Sequence, residues 1–236
     1  MRFELPEIAL TSGISLTFDD DYIAQWHANR ELFQEFELRA TFFVRGLSRL
    51  SDAELRTLMD LRADGHEIGS HGFRHKSVVR HYGGDAANVG RYIEEEILPA
   101  IESMRAFGLE AHSFAYPYGH HTPEYDAALL QHFQHIRCVA YTRSYVAPHR
   151  LRAIFHDLGS GQRVHHAIGL DNAYGNVNQM SAALSKAARM RLVVGLYAHN
   201  LAENDGHYSL RPSKLRTLLQ QVRRLGMRSF TLRELQ

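Results

Sequence analysis

Residues 14–21, Ile14-Ser15-Leu16-Thr17-Phe18-Asp19-Asp20-Asp21, form an apolar run that ends in three adjacent carboxylates. The run reads as a strand delivering acids at its C-terminal end. Further along, His66-Glu67-Ile68-Gly69-Ser70 reads as another strand and leads into His71-Gly72-Phe73-Arg74-His75, which sets two histidines at i and i+4. Two such strands in one sheet would bring carboxylates and imidazoles to a single rim. Carboxylate oxygen together with imidazole nitrogen suits Zn²⁺ or a similar divalent ion, and three protein ligands leave a coordination position open for water. This donor set points to a metal hydrolase. Either half alone has a plainer reading. Histidines four apart are common in a chain with 16 His among 236 residues, and aspartate runs commonly cap helix N-termini. The combination carries the inference.

Outward from this stretch the chain alternates between strand and helix patterns without a linker. Strands are expected over residues 14–19, 40–44, 66–70, 111–116, 136–141, 192–198 and 227–232. Helices are expected over 23–36, 86–107, 180–190 and 212–225. Ser51 caps a further helix, with Glu54 completing a capping box and Gly65 ending it, and Thr122-Pro123 opens another. Pro99 predicts a kink within 86–107. Residues 144–178 read only as short strands and loops. Alternation of this kind implies a parallel sheet with right-handed crossovers. Asp19 and Asp20, His71, Tyr116-Pro117-Tyr118 and His199 fall at the C-terminal ends of separate strands. Convergence from several strand ends favours an α/β fold closed as a distorted (β/α) barrel of seven or eight parallel strands, with its active site on that face. The expected organisation is one catalytic domain over residues 1–236.

Composition agrees with an ordinary enzyme. The chain is 44% hydrophobic and 22% charged, with a formal net charge of +1; nothing in that balance argues for nucleic acid or an anionic membrane surface. Residues 1–6 lack a signal-peptide core, and no window reaches membrane-spanning length. Read literally this places the protein in the cytoplasm, although a secreted chain trimmed of its leader would look similar. The single cysteine, Cys138, excludes an internal disulfide and reads as a buried, inert thiol.

Four ordered blocks, Thr17-Phe18-Asp19-Asp20, Ser70-His71-Gly72-Phe73-Arg74-His75, Phe114-Ala115-Tyr116-Pro117-Tyr118-Gly119 and Leu196-Tyr197-Ala198-His199, resemble the signature blocks of the polysaccharide deacetylase family. The resemblance spans roughly residues 14–232. It implies a distorted barrel and divalent-metal-dependent removal of acetyl groups from sugars, with Zn as the first choice of ion and Co or Ni as alternatives. By resemblance, Asp20, His71 and His75 match the metal ligands, Asp19 the catalytic base, and His199 the general acid that protonates the leaving amine. The backbone N–H of Tyr118 matches the oxyanion donor. These roles suit the residues: a carboxylate beside a cation stays ionised yet can accept a proton from acidified water, and imidazole titrates near neutrality.

The chain also departs from the family pattern. Many members carry an arginine two positions before the proline of the third block, in contact with the catalytic base; here that position is Ala115, so the orientation of Asp19 is expected to be set otherwise, by a residue from another loop. An aspartate–tryptophan element that supports the general acid is missing, and the only tryptophan, Trp26, reads as core. Asp171 is the candidate support for His199, with a turn-forming Asp-Asn as the competing reading. Asp21 stands where glycine is usual. Two other functions remain open: an amidohydrolase of the same fold acting on a small non-sugar or cyclic amide, and a non-catalytic carbohydrate-binding barrel. Metal-independent relatives tend to lose ligands, whereas this chain retains all three.

Overall fold

The computed structural model describes residues 11–140, 146–174, 176–204 and 206–236. Residues 1–6, Tyr141 and Ser144, on which sequence readings fall, lie outside them. Eleven strands are formed among the described residues: β1 Gly13–Asp19, β2 Ala40–Val44, β3 Glu67–Ser70, β4 Ser113–Ala115, β5 His135–Val139, β6 Phe155–His156, β7 Val164–Gly169, β8 Val193–Ala198, β9 Asn200–Leu201, β10 Ser209–Leu210 and β11 Arg228–Ser229. Seven close into a parallel barrel in the order β1-β2-β3-β4-β5-β7-β8, with β8 returning to pair with β1. β11 adds in parallel to the start of β1, β6 pairs antiparallel with β8, and β9 and β10 pair separately.

Strand alternation sorts side chains into two layers. On β1, Ile14, Leu16 and Phe18 join the apolar cluster beneath the helices, where Phe18 stacks on Phe42 at 5.3 Å between ring centroids and Trp26 lies 5.0 Å from Phe42. The intervening Thr17 and Asp19 face the barrel interior with Phe43, Arg137 and Tyr197. Alternation therefore aims the last residue of β1 into the barrel mouth.

Several expected elements change form. The helix over 23–36 divides into Ile23–His27 and Arg30–Glu35, because the Asn29 amide donates to the Gln25 and Leu201 carbonyls (2.8 and 3.1 Å) and draws the backbone out of helical register. Over 86–107 the kink arrives as a π-turn, Ile93–Ile97, before the helix Leu98–Ala106. Pro99 cannot donate an N–H, and the Glu95 carbonyl accepts instead from Arg74 Nη2 at 3.4 Å. The last strand is short because Thr231 and Glu234 form a reciprocal capping box that turns the chain at Leu232. Residues 144–178 contain β7, a full barrel wall.

The helix Asp52–Ala63 carries the expected capping box: Glu54 N–H donates to Ser51 Oγ at 3.3 Å and Ser51 N–H donates to Glu54 Oε2 at 2.8 Å. Ser51→Ala is expected to destabilise the protein by about 1 kcal/mol, read from the urea midpoint at constant slope. An unchanged midpoint would show the cap to be energetically idle.

Candidate active site

Three of the five non-glycine residues with left-handed backbone among the described residues lie at the barrel mouth: Asp20 (φ 76°), His75 (φ 60°) and Tyr118 (φ 62°). Such conformations cost roughly 1–2 kcal/mol each, so their clustering concentrates strain where chemistry is expected. Asp20 turns the chain as it leaves β1, and its Oδ1 comes to 3.4 Å from His75 Nε2 and 4.0 Å from His71 Nε2. One ligating atom from each of Asp20, His71 and His75 lies within 4.8 Å of the others.

Neighbouring groups hold this cluster. His71 Nδ1 donates to the Ala115 carbonyl at 2.8 Å, which leaves the Nε2 lone pair facing Asp20. Burial first, and then the neighbouring His75, hold His71 well below the usual imidazole pKa, in the neutral form that can act as a metal ligand. Glu96, fully buried on the π-turn, accepts from Arg74 N–H at 2.8 Å and Arg74 Nε at 2.9 Å, bracing the loop between the two histidines. Asp20 Oδ1 is buried without a hydrogen-bond partner. A lone carboxylate oxygen beside two imidazoles, one of them oriented by the Ala115 carbonyl, is a donor set that could hold a divalent cation.

Asp19 stands beside this cluster, buried, with Oδ2 accepting from Arg137 Nη2 and Oδ1 unpartnered. Arg137 comes from β5 and pairs in register with Ala115. The residue that holds Asp19 thus comes from the adjacent strand and not from another loop, because strand register sets Arg137 beside Ala115, which contributes only a methyl to that layer. A sequence signal existed: an arginine inside Ile136-Arg137-Cys138-Val139-Ala140 must be buried, and a buried guanidinium requires a partner.

His199 follows β8. Its Nδ1 lies 2.6 Å from Asp171 Oδ2, and its backbone N–H donates to Asp171 Oδ1 at 3.1 Å. Burial lowers the His199 pKa, but the Asp171 hydrogen bond and the charges of Asp19, Asp171 and Asp20 outweigh it and raise the ring above its ordinary value. Trp26 is core, yet its indole N–H donates to the His199 carbonyl at 2.8 Å, a contact the sequence did not signal. Asp21 pairs with Arg45 at 2.5 Å and takes no part in the cluster.

The third block forms a tight turn over Pro117–Gly119, with the exposed Tyr118 ring 4.8 Å from His75 and Arg80 over its face. Gly119 has φ 72°, and a Cβ there would collide with Val139, so the turn lies flush against β5. Asp19, Asp20, His71, His75, Tyr118 and His199 all line one cavity of about 400 Å³ at the C-terminal ends of the strands. A cavity of that size falls within the range of small-molecule sites.

Residues 10–134 match the family described as Polysaccharide deacetylase. No curated protein matches the chain. Among solved structures, the chain is similar to a chitin deacetylase from the fungal pathogen Colletotrichum lindemuthianum, at 18% identity over 96% of this chain and 88% of the other, with a TM-score of 0.56. It is also similar to a peptidoglycan deacetylase from Bacillus subtilis (16% identity, 95% and 90% coverage, TM-score 0.56). A family 4 carbohydrate esterase from Streptomyces lividans aligns at 14% identity over 94% and 93%, with a TM-score of 0.57. At these identities the likeness is one of fold.

Proposed function

The chain belongs to the polysaccharide deacetylase family, and from that membership we propose that it is a single-domain, metal-dependent hydrolase of N-acetylated sugars. The observation carrying this reading is the convergence of Asp20, His71 and His75 next to the Arg137-held Asp19 in one cavity. Asp20, His71 and His75 would hold one divalent ion, most simply Zn²⁺, through a carboxylate oxygen and two imidazole nitrogens. Bound there, the ion would supply Lewis acidity and lower the pKa of a nearby water.

The chain's own groups supply the rest. Arg137 engages Oδ2 of Asp19, so Oδ1 is the oxygen left to accept the proton from attacking water. The Tyr118 backbone N–H, on its strained turn, serves as a donor for the oxyanion. His199, protonated on Nε2 and oriented by Asp171 through Nδ1, gives a proton to the departing amine nitrogen. The retained Asp20, His71 and His75 favour this reading over a metal-independent amidohydrolase.

The test is acetate release from acetylated chitooligosaccharides, nucleotide sugars and glycolipids, before and after stripping with a chelator. Release from at least one class, lost on stripping and restored by Zn²⁺, is expected. Undiminished release from metal-free protein would refute the metal mechanism. Asp171→Asn should lower kcat on the order of 10²-fold with little change in KM. Removing that carboxylate lowers the His199 pKa, so the alkaline limb of the pH profile should also move to lower pH. An unmoved limb would take Asp171 out of the proton-donor system.

A further inference from the structure

We propose that His121, Cys138 and His166 form a second cation site, on the outer wall of the barrel, for a thiophilic divalent ion of the Zn²⁺ type. Cys138 on β5 and His166 on β7 are direct partners in the parallel register. Their strand neighbours Arg137 and His165, also register partners, face the interior, so alternation turns Cys138 and His166 outward together. His121, on the loop after β4, completes the group. Its ring lies 5.2 Å from that of His166, and one ligating atom from each of the three residues falls within 4.8 Å of the others.

Groups behind the cluster orient it as a metal site requires. His121 Nδ1 lies 2.9 Å from Asp126 Oδ2, and Tyr116 Oη donates to Asp126 Oδ1 at 2.8 Å. A carboxylate on one ring nitrogen leaves His121 Nε2 as the ligating atom and raises its basicity. Cys138 is fully buried. A thiol that only packed in the core would need apolar neighbours, as it has in Phe114, Tyr116 and Ile136; it would not need two imidazoles on its remaining side. Thiolate with two imidazoles is a borderline-soft set that Zn²⁺ or Co²⁺ accepts, with a further coordination position left for water. Binding releases the thiol proton. An ion here would tie β5 and β7 to the loop that carries Tyr118, three residues before His121.

Titrating the metal-stripped full chain with Co²⁺ tests this site apart from the catalytic one. The expected result is two equivalents bound, with a thiolate-to-cobalt charge-transfer band in the near ultraviolet. Cys138→Ser should bind one equivalent without the band, and Asp20→Ala should lose the other equivalent while keeping the band. Should Cys138→Ser fail to fold, His121→Gln retains the thiol and should weaken the second equivalent by about tenfold or more. A single equivalent without a thiolate band in the unaltered chain, or an unchanged second affinity in His121→Gln, overturns the proposal. Loss of the band in Asp20→Ala would also overturn it, whereas a fault in the proposed catalytic site would instead appear as two equivalents retained by Asp20→Ala or as activity without metal.

Discussion

Asp19→Asn is expected to lower acetate release by roughly 10²–10⁴-fold, the range by which a positioned base accelerates proton transfer. Metal content should stay at the level of the unaltered protein, because Asp20, His71 and His75 are untouched. The substitution keeps an oxygen able to accept from Arg137 and so preserves most of the shape of the site. It does leave the Arg137 guanidinium, only 1% exposed, without its counter-charge. Breaking a buried ion pair commonly costs about 3–5 kcal/mol, so the melting temperature should fall as well. Activity must therefore be measured well below that temperature, where the variant is folded. A folded, metal-loaded Asp19→Asn protein within tenfold of normal activity would move the base elsewhere.

Acidification is expected to destabilise the protein by several kcal/mol between about pH 6.5 and 4, an amount comparable with the whole stability of a domain. Four buried histidines are responsible. Burial pushes His66, His135 and His156 down to about 4, and His165 to about 2. Within the barrel His135 Nδ1 meets His165 Nε2 at 3.0 Å, and the His156 ring packs edge-on to His165. His156 Nε2 donates to the His166 carbonyl at 2.9 Å, and His66 Nδ1 accepts the Ala40 N–H at 3.2 Å. The neutral form satisfies these contacts; a protonated His135, His156 or His165 would bury a charge with no carboxylate nearby, and at His66 the charge of Asp64 offsets only part of the burial cost. The sign follows. Above pH 6.5 both folded and unfolded chains hold these rings neutral, and stability is at its full value. As pH falls below 6.5 the unfolded chain binds protons that the folded chain refuses, so stability declines until the folded pKa values are reached. Urea midpoints at pH 7, 6 and 5 test this directly. Midpoints that hold steady over that range would mean that the rings find compensation that the geometry does not provide. His135→Leu should flatten part of the slope.

Of the fold, the parts carried by long apolar runs were legible. β1, β2 and β8 form where their sequences predict, because parallel strands buried on both faces are rich in Val, Ile, Leu and Phe. β3, Glu67-Ile68-Gly69-Ser70, also forms where expected, although it carries only one such residue. β7 was not legible. Val164-His165-His166-Ala167-Ile168-Gly169 carries two histidines at its centre, and a polar pair within a six-residue strand erases the apolar signal. Only the neighbours, His135 and His156 inside and Cys138 outside, make those positions acceptable. The helix over 23–36 was misjudged for a similar reason: its apolar periodicity is sound, but one Asn29 amide finds carbonyl partners that periodicity cannot register.

By itself the sequence determined the (β/α) class and the two local donor segments, since alternation, apolar runs and i, i+4 spacing act over short stretches of chain. Only the tertiary structure decided that Arg137 replaces the arginine missing at Ala115, that Asp171 grips His199 across 28 positions, and that Cys138 shares a wall with two histidines. The physical reason is barrel register. Hydrogen bonding between strands fixes which residues stand side by side, and strand alternation then assigns each pair to the interior or the outside. Those partners are distant in sequence, and no local pattern records the register that joins them.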